Sequence, residues 1–424
     1  MRLATCGSVD DGKSTLVGRL LYDTKSVLAD QVTAIEEVSR RRGQDCPDLS
    51  LLTDGLRAER EQGITIDVAY RYFATPARRF ILADTPGHVQ YTRNMVTGAS
   101  TADLAVILVD ARNGVIAQTM RHAAIAALLR VPHVVLAVNK MDTVGFRESV
   151  FTAIADEFAQ RARTLGLAEV TAIPMSALTG DNVVERSART DWYDGGTLLT
   201  HLENVPVDAD PAASPMRLPV QYVIRHPSER RQVVERWQAG QLASGLLKVG
   251  DRVVVQPSGQ SSVVAALSVL GRETESVRAP QSVAVRLADE IDVSRGDLLS
   301  TGPAPRTLRH LSAKVCHLHE RPLRARQRVL LKHTTRTVPA MVERIDYVMD
   351  VTDARRLPCP DGLTVNDIGG VWIRTAEPLA VDGYMDNRRT GSFLLIDPQD
   401  GVTLAAGMVD VQEEAQGDQD LESP

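Results

Sequence analysis

Four runs of consecutive apolar residues mark the first half of the chain, and each ends on a polar position. Phe80-Ile81-Leu82-Ala83 leads into Asp84, and Leu104-Ala105-Val106-Ile107-Leu108-Val109 leads into Asp110. His133-Val134-Val135-Leu136-Ala137-Val138 leads into Asn139, and Val170-Thr171-Ala172-Ile173-Pro174-Met175 leads into Ser176. Continuous runs of this kind suit strands buried on both faces of a mostly parallel sheet. In such sheets the ligand lies beyond the carboxyl ends of the strands. Arg2-Leu3-Ala4-Thr5-Cys6 reads as a further short buried strand, and Leu16-Val17-Gly18-Arg19-Leu20-Leu21 as a helix with one apolar face. Val27, Leu28, Val32, Ile35 and Val38 predict an amphipathic helix over residues 27–42. The stretch from Asp54 to Asp67 is charged and then apolar, and reads as a connection from helix to strand.

The pattern changes near residue 205. Val205-Pro206-Val207-Asp208-Ala209-Asp210-Pro211-Ala212-Ala213-Ser214-Pro215 is a proline-punctuated linker. Beyond it, short alternating segments such as Leu218-Pro219-Val220-Gln221-Tyr222-Val223-Ile224 and Asp251-Arg252-Val253-Val254-Val255 are separated by Gly, Pro and Asp turns. These predict antiparallel β barrels. Thr301-Gly302-Pro303-Ala304-Pro305 marks a second boundary. The expected plan is an α/β domain over 1–205, a linker over 206–216, β-barrel domains over 217–305 and 306–411, and a disordered acidic tail over 412–424.

Composition narrows the class. The chain has 424 residues, 43% hydrophobic, enough for two to four domains at roughly 100–200 residues each. Its net charge of −6 argues against broad electrostatic adhesion to nucleic acid or anionic lipid. No apolar run reaches the ~20 residues of a membrane span, and Met1 sits directly at the first strand with no signal peptide. Cys6, Cys46, Cys316 and Cys359 form no CxxC pair and read as reduced thiols of a cytoplasmic protein. Cys316-His317-Leu318-His319 is not read as a metal site, because no second ligand pair accompanies it.

Three motifs then converge on the sheet edge. Gly7-Ser8-Val9-Asp10-Asp11-Gly12-Lys13-Ser14-Thr15 fits GxxxxGK[ST] between a strand and a helix. Such a loop aims backbone N–H groups and a helix N-terminus at a phosphate cluster. Lys13 is placed to reach the β- and γ-phosphates, and the Ser14 hydroxyl to ligate Mg²⁺. Asp84-Thr85-Pro86-Gly87-His88 follows the first of the four apolar runs. Asp84 can bind Mg²⁺ directly or through water, the Gly87 N–H can approach the γ-phosphate, and His88 can orient the attacking water. Asn139-Lys140-Met141-Asp142 selects the base. The Asp142 carboxylate can accept from guanine N1–H and its exocyclic amine, a donor pair adenine lacks, and an unpaired buried acceptor costs about 1–3 kcal/mol. Asn139 would hold the loop and reach N7, and the Lys140 stem would cover the ring. Ser176-Ala177-Leu178 would offer a backbone N–H to guanine O6.

Together these loops resemble the translation-factor class of GTPases, in which a histidine follows DTPG, GIT marks the first switch and β barrels follow the GTPase domain. On that resemblance the fold class is an α/β P-loop GTPase domain followed by two antiparallel β-barrel domains, and the cofactors are GTP and Mg²⁺. Thr65, within Gly63-Ile64-Thr65, is a second hydroxyl ligand for Mg²⁺ by the motif it sits in. Asp11 stands where elongation factors usually have histidine. The string Glu59-Arg60-Glu61-Gln62-Gly63-Ile64-Thr65-Ile66-Asp67-Val68-Ala69-Tyr70-Arg71-Tyr72-Phe73 looks like the GTPase subunit of bacterial sulfate adenylyltransferase. So do Gln90-Tyr91-Thr92-Arg93-Asn94-Met95, Asp289-Glu290-Ile291-Asp292-Val293-Ser294-Arg295-Gly296-Asp297 and Ala405-Ala406-Gly407-Met408-Val409.

That resemblance implies a partner, the small catalytic subunit, in a heterodimer or higher assembly. The partner would make adenosine 5′-phosphosulfate and pyrophosphate from ATP and sulfate, driven by GTP hydrolysis on this chain; no nucleic acid and no membrane are implied. The chain has no SGGxD-type pyrophosphate loop, and it lacks the second phosphate loop of a fused adenylylsulfate kinase. It departs from the family in starting almost on the first strand and in the loop His226-Pro227-Ser228-Glu229-Arg230-Arg231, so partner contacts there are not carried over. The competing reading is an elongation factor delivering aminoacyl-tRNA, for which Arg225, Arg230, Arg231 and Arg236 would form the basic track. A GTP-gated scaffold without substrate coupling is disfavoured, because His88 and Thr65 both stand ready for hydrolysis.

Overall fold

The apolar runs assemble as one sheet in the computed structural model, which describes residues 1–41, 47–52, 67–88, 92–167, 169–207, 211–227, 234–359 and 361–410. Thr65, most of the charged stretch before Asp67, Arg230, Arg231 and the acidic tail lie outside the described residues.

In chain order the elements of the first unit are β1 (Arg2–Cys6), α1 (Lys13–Asp23), α2 (Ala29–Arg41), β2 (Ala69–Ala74), β3 (Arg79–Asp84) and α3 (Thr92–Ala99). There follow β4 (Leu104–Asp110), α4 (Ala117–Leu128), β5 (His133–Asn139), α5 (Glu148–Thr164), β6 (Val170–Pro174) and α6 (Leu198–Asn204). The sheet order is β2-β3-β1-β4-β5-β6. β1 pairs in parallel with both β3 and β4, and β4, β5 and β6 continue in parallel, while β2 joins the edge antiparallel to β3. The order reverses at β1, so the crevice beyond the carboxyl ends opens where the phosphate loop leaves that strand. Every residue of β4 is buried, as a central strand covered on both faces must be.

α1 buries Leu16, Val17, Leu20 and Leu21, the three-and-four spacing of one helix face, against β-strand residues Leu3, Leu82 and Val106. It begins at Lys13, earlier than its apolar face alone indicates, because the phosphate loop turns directly into it. α2 forms where the spacing predicts it, yet Leu28 and Val38 remain exposed while Ile35 is buried. Its apolar stripe is therefore only partly covered among the described residues.

The chain divides into two compact units, Met1–Val207 with Asp350–Arg355 and Asp208–Met349 with Arg356–Pro424. The second unit carries two antiparallel β barrels. In the first, Ser282–Leu287 alternates exposed and buried positions, and Val253, Val255, Val264, Leu267, Val283, Val285 and Leu299 form the core. Its path runs from Arg217–Pro219 to Tyr222–Pro227, and just beyond Val234–Gln241, the next-to-last strand of that path, the Ala243 N–H donates to Arg217 O at 2.8 Å, back to the first strand. In the second barrel, Arg328–His333 pairs with both Ser392–Ile396 and Arg336–Met349, which closes the ring. Its core is Leu311, Val315, Val329, Leu331, Val342, Ile373 and Leu395.

Within this barrel Cys316 and His317 are fully buried at the end of Arg306–His317. His317 Nε2 lies 2.8 Å from Arg321 O, and His319 Nδ1 accepts the Arg321 N–H at 3.0 Å. Both histidines thus secure the chain reversal after the strand. Arg225 and Arg236 face each other in the ladder of the first barrel.

Candidate nucleotide-binding site

The loop between β1 and α1 is shaped for an anion. Gly12 takes a left-handed conformation, φ 93°, at the N-cap of α1, and no side chain among the described residues caps the first turn. A Cβ there would collide with the Asn139 side-chain amide, so the position requires glycine for both conformation and space. The uncapped first-turn N–H groups and the helix dipole together favour a phosphate.

Lys13 is buried and its Nζ donates to Ser8 O at 2.6 Å. Burial lowers its pKa, and Asp84 and Asp11 oppose that. Gly87 approaches so closely that a side chain there would strike Lys13 Nζ, which brings the loop after β3 directly against the phosphate loop. Asp84, 1% exposed, is oriented by Thr5, whose Oγ1 donates to Asp84 Oδ1 at 2.9 Å. Thr85 Oγ1 in turn donates to Thr5 O at 2.6 Å, so this side chain secures the strand end. Pro86 is buried, and His88 is half-buried where the described part of the loop ends. Ser14 and Thr15 are half-buried at the start of α1, while Val9 and Asp10 are exposed at the loop tip.

Asp11 turns its carboxylate inward. Oδ2 accepts the Ser8 N–H at 2.5 Å and the residue is 4% exposed. Burial raises its pKa, against the Ser8 N–H and Lys13. This side chain braces the loop from within.

The segment Asn139-Lys140-Met141-Asp142 lies beside it. Asn139 Nδ2 donates to Asp11 O at 2.7 Å, and its Oδ1 accepts the Ala177 N–H at 2.9 Å. Asn139 thus joins the phosphate loop to the loop after β6, with both ends of its amide engaged. Lys140 Nζ donates to Asp10 O and lies 3.0 Å from Asp110 Oδ2. Met141 is wholly buried. Asp142 Oδ1 is buried and has no hydrogen-bond partner among the described residues. An acceptor left so is costly unless a donor reaches it.

In the loop after β6, Ser176 N–H donates to Asp181 O and Gly180 N–H to Ser176 O. Thr179 N–H donates to Ser176 Oγ. With Ala177 N–H taken by Asn139, the Leu178 N–H is the amide of this stretch without a partner among the described residues.

Three contributors are absent from the motifs. Thr5 orients Asp84, and Arg19 on α1 donates to Ala177 O and Leu178 O. Asp110, 2% exposed, holds Lys140. Burial would raise the Asp110 pKa, but hydrogen bonds from Arg112 and Lys140 outweigh it and hold the carboxyl far below the usual range. Only Asp110 carries a sequence signal, since it ends an apolar run.

The model of the "Elongation factor Tu GTP binding domain" family matches residues 1–225, and that of the "GTP-eEF1A C-terminal domain-like" family matches 310–410. A "Sulfate adenylyltransferase subunit 1" of Bacteroides fragilis is 48% identical over 412 residues, covering 96% of this chain and 85% of that protein. The chain belongs to the sulfate adenylyltransferase subunit 1 family, within the translation-factor class of GTPases. The family member of Shewanella oneidensis is 48% identical over 416 residues, covering 96% and 85%. A "Bifunctional enzyme CysN/CysC" of Mycobacterium tuberculosis is 52% identical over 412 residues, covering 96% of this chain and 67% of that protein. No helix among the described residues is long and apolar enough to cross a membrane.

Proposed function

We propose that the chain is the GTP-hydrolysing subunit of a sulfate-activating enzyme, coupling Mg²⁺-dependent GTP hydrolysis to formation of adenosine 5′-phosphosulfate and pyrophosphate by a small catalytic partner subunit. The observation that carries the nucleotide reading is the buried Asp142 Oδ1, without a partner among the described residues, on the sheet edge that also bears the phosphate loop. Guanine supplies the donors that satisfy it; adenine does not. The sulfate reading is supported by the identity to proteins named sulfate adenylyltransferase subunit 1.

In this reading Lys13, the first-turn amides of α1 and the Gly87 N–H stabilise charge on the terminal phosphate. Ser14 and Asp84 offer hard oxygen donors suited to Mg²⁺, and Thr65 is proposed as a further hydroxyl ligand. When bound, the ion neutralises charge that develops on the phosphate oxygens. His88 orients the attacking water. The segments around Thr65 and Gly87 differ in their contacts to di- and triphosphate, and so report the nucleotide state to the partner. The proposed domain plan remains a nucleotide domain over 1–205 and barrel domains over 217–305 and 306–411. The chain is proposed to work in the cytoplasm.

The test is to co-express the chain with a small subunit and follow pyrophosphate release from ATP and sulfate with and without GTP. GTP-dependent release that Asp84→Ala abolishes supports the proposal. GTP hydrolysis indifferent to the partner, ATP and sulfate would overturn it.

A further inference from the structure

Arg19 leaves the buried helix α1 for the loop after β6. Its Nε donates to Ala177 O at 3.2 Å and its Nη2 to Leu178 O at 2.5 Å. Nη1 lies 3.5 Å from Asp23 Oδ1, and the guanidinium carbon sits 5.8 Å from the centre of the Tyr22 ring. The side chain is 15% exposed, so these contacts are partly shielded from water.

The two carbonyls belong to consecutive peptides. A peptide group is planar and trans, so its C=O and its N–H point in opposite directions. Holding Ala177 O toward α1 therefore sends the Leu178 N–H, which shares that peptide plane, away from Arg19. This is the one amide of residues 176–180 without a partner among the described residues. Leu178 O is held by the same guanidinium, so the peptides on both sides of Leu178 are constrained. A planar fork of donors can do this; a single ammonium cannot hold both carbonyls in fixed directions.

We infer that Arg19 is a positioning residue for guanine recognition, fixing the Ala177–Leu178 peptide so that the Leu178 N–H is presented to the base O6. The inference rests on the GTP-binding reading of this site and adds the residue that orders the O6 donor. It also couples the two ends of the nucleotide, since α1 begins at the phosphate loop and Arg19 carries its position to the base loop.

The test measures dissociation constants of the full chain for the Mg²⁺ complexes of GTP, 6-thio-GTP, ITP and ATP. 6-thio-GTP keeps the donors for Asp142 but replaces O6 by a poorer acceptor. ITP keeps O6 and loses the exocyclic amine. Arg19→Gln is expected to shrink the preference for GTP over 6-thio-GTP roughly fivefold, the value of about one neutral hydrogen bond. It should leave the preference for GTP over ITP unchanged. Arg19→Lys, which keeps the charge and one donor group, should fall between and serves if the glutamine variant does not fold. Equal weakening toward GTP, 6-thio-GTP and ITP, or a loss of thermal stability with all ratios intact, would overturn the inference. So would a wild-type chain that binds 6-thio-GTP as tightly as GTP while still rejecting ATP. Failure of the wild type to prefer GTP over ATP would instead strike the guanine reading, and this inference with it.

Discussion

A carboxylate oxygen buried without a partner among the described residues, as Asp142 Oδ1 is, is costly until a donor meets it. At the scale of the residue, that cost is the proposed basis of base selection. Guanine presents two donors on one edge, and a carboxylate presents only acceptors. Asp142→Asn replaces one acceptor with a donor and removes the charge. GTP affinity should then fall about 10–100-fold, the value of roughly 1.5–3 kcal/mol for a charge-assisted hydrogen bond. Xanthosine triphosphate, whose 2-oxo group accepts where guanine donates, should gain. Titration of the variant with both nucleotides checks this, and unchanged GTP binding would remove Asp142 from the base site. Asp11 shows the opposite use of a carboxylate. Its oxygen already has a local partner, the Ser8 N–H, so it shapes the loop without needing a ligand.

At the scale of the element, β1, β3 and α1 bring the phosphate chemistry together. Parallel pairing of β1 with β3 sets Thr5 opposite Asp84 in register. Thr5 Oγ1 reaches Asp84 Oδ1, and Thr85 Oγ1 returns to Thr5 O, so a two-way tie orients the proposed metal ligand. Partners of this kind tune metal affinity by about 10–100-fold. Thr5→Val preserves shape and removes the donor. It should raise the Mg²⁺ concentration needed for half-maximal GTP hydrolysis about tenfold, with GTP binding in the absence of metal unaffected. A magnesium titration of hydrolysis checks it. The apolar spacing of α1 is legible in the sequence, because burial of one helix face leaves a period of three and four. Its role in holding the base loop through Arg19 is not legible: Ala177 and Leu178 lie far along the chain, and a long-range hydrogen bond imposes no local period.

At the scale of the whole chain, two units carry separate cores, and the second joins its two barrels through a buried ion pair. Arg217, 4% exposed, meets Asp382, 12% exposed, with Nη2 to Oδ1 at 2.9 Å. It also donates to Met216 O, Thr301 O and Pro303 O, while Asp382 accepts from Thr390 Oγ1. Removing one partner of such a pair strands a buried charge and costs about 3–5 kcal/mol. Arg217→Leu should therefore destabilise the second unit by about that amount. Urea denaturation followed by the fluorescence of Trp237 and Trp372, both in that unit, checks it. Arg217→Leu combined with Asp382→Leu should recover much of the loss, because no charge is left unpaired.

The sequence by itself determined the order of the three nucleotide motifs, the buried parallel strands that end on them and the alternating strands of the barrels. Each of these writes a local pattern: apolar runs for strands covered on both faces, alternation for half-buried strands, glycines where a backbone must close around phosphate. Only the tertiary structure decided that Thr5 orients Asp84, that Asp110 holds Lys140, that Asn139 uses both ends of its amide to join two loops, and that Arg19 and Arg217 bind partners distant in the chain. Those contacts are made by side chains brought together by strand order and helix packing, and polar residues at such positions look, along the chain, the same as residues facing solvent.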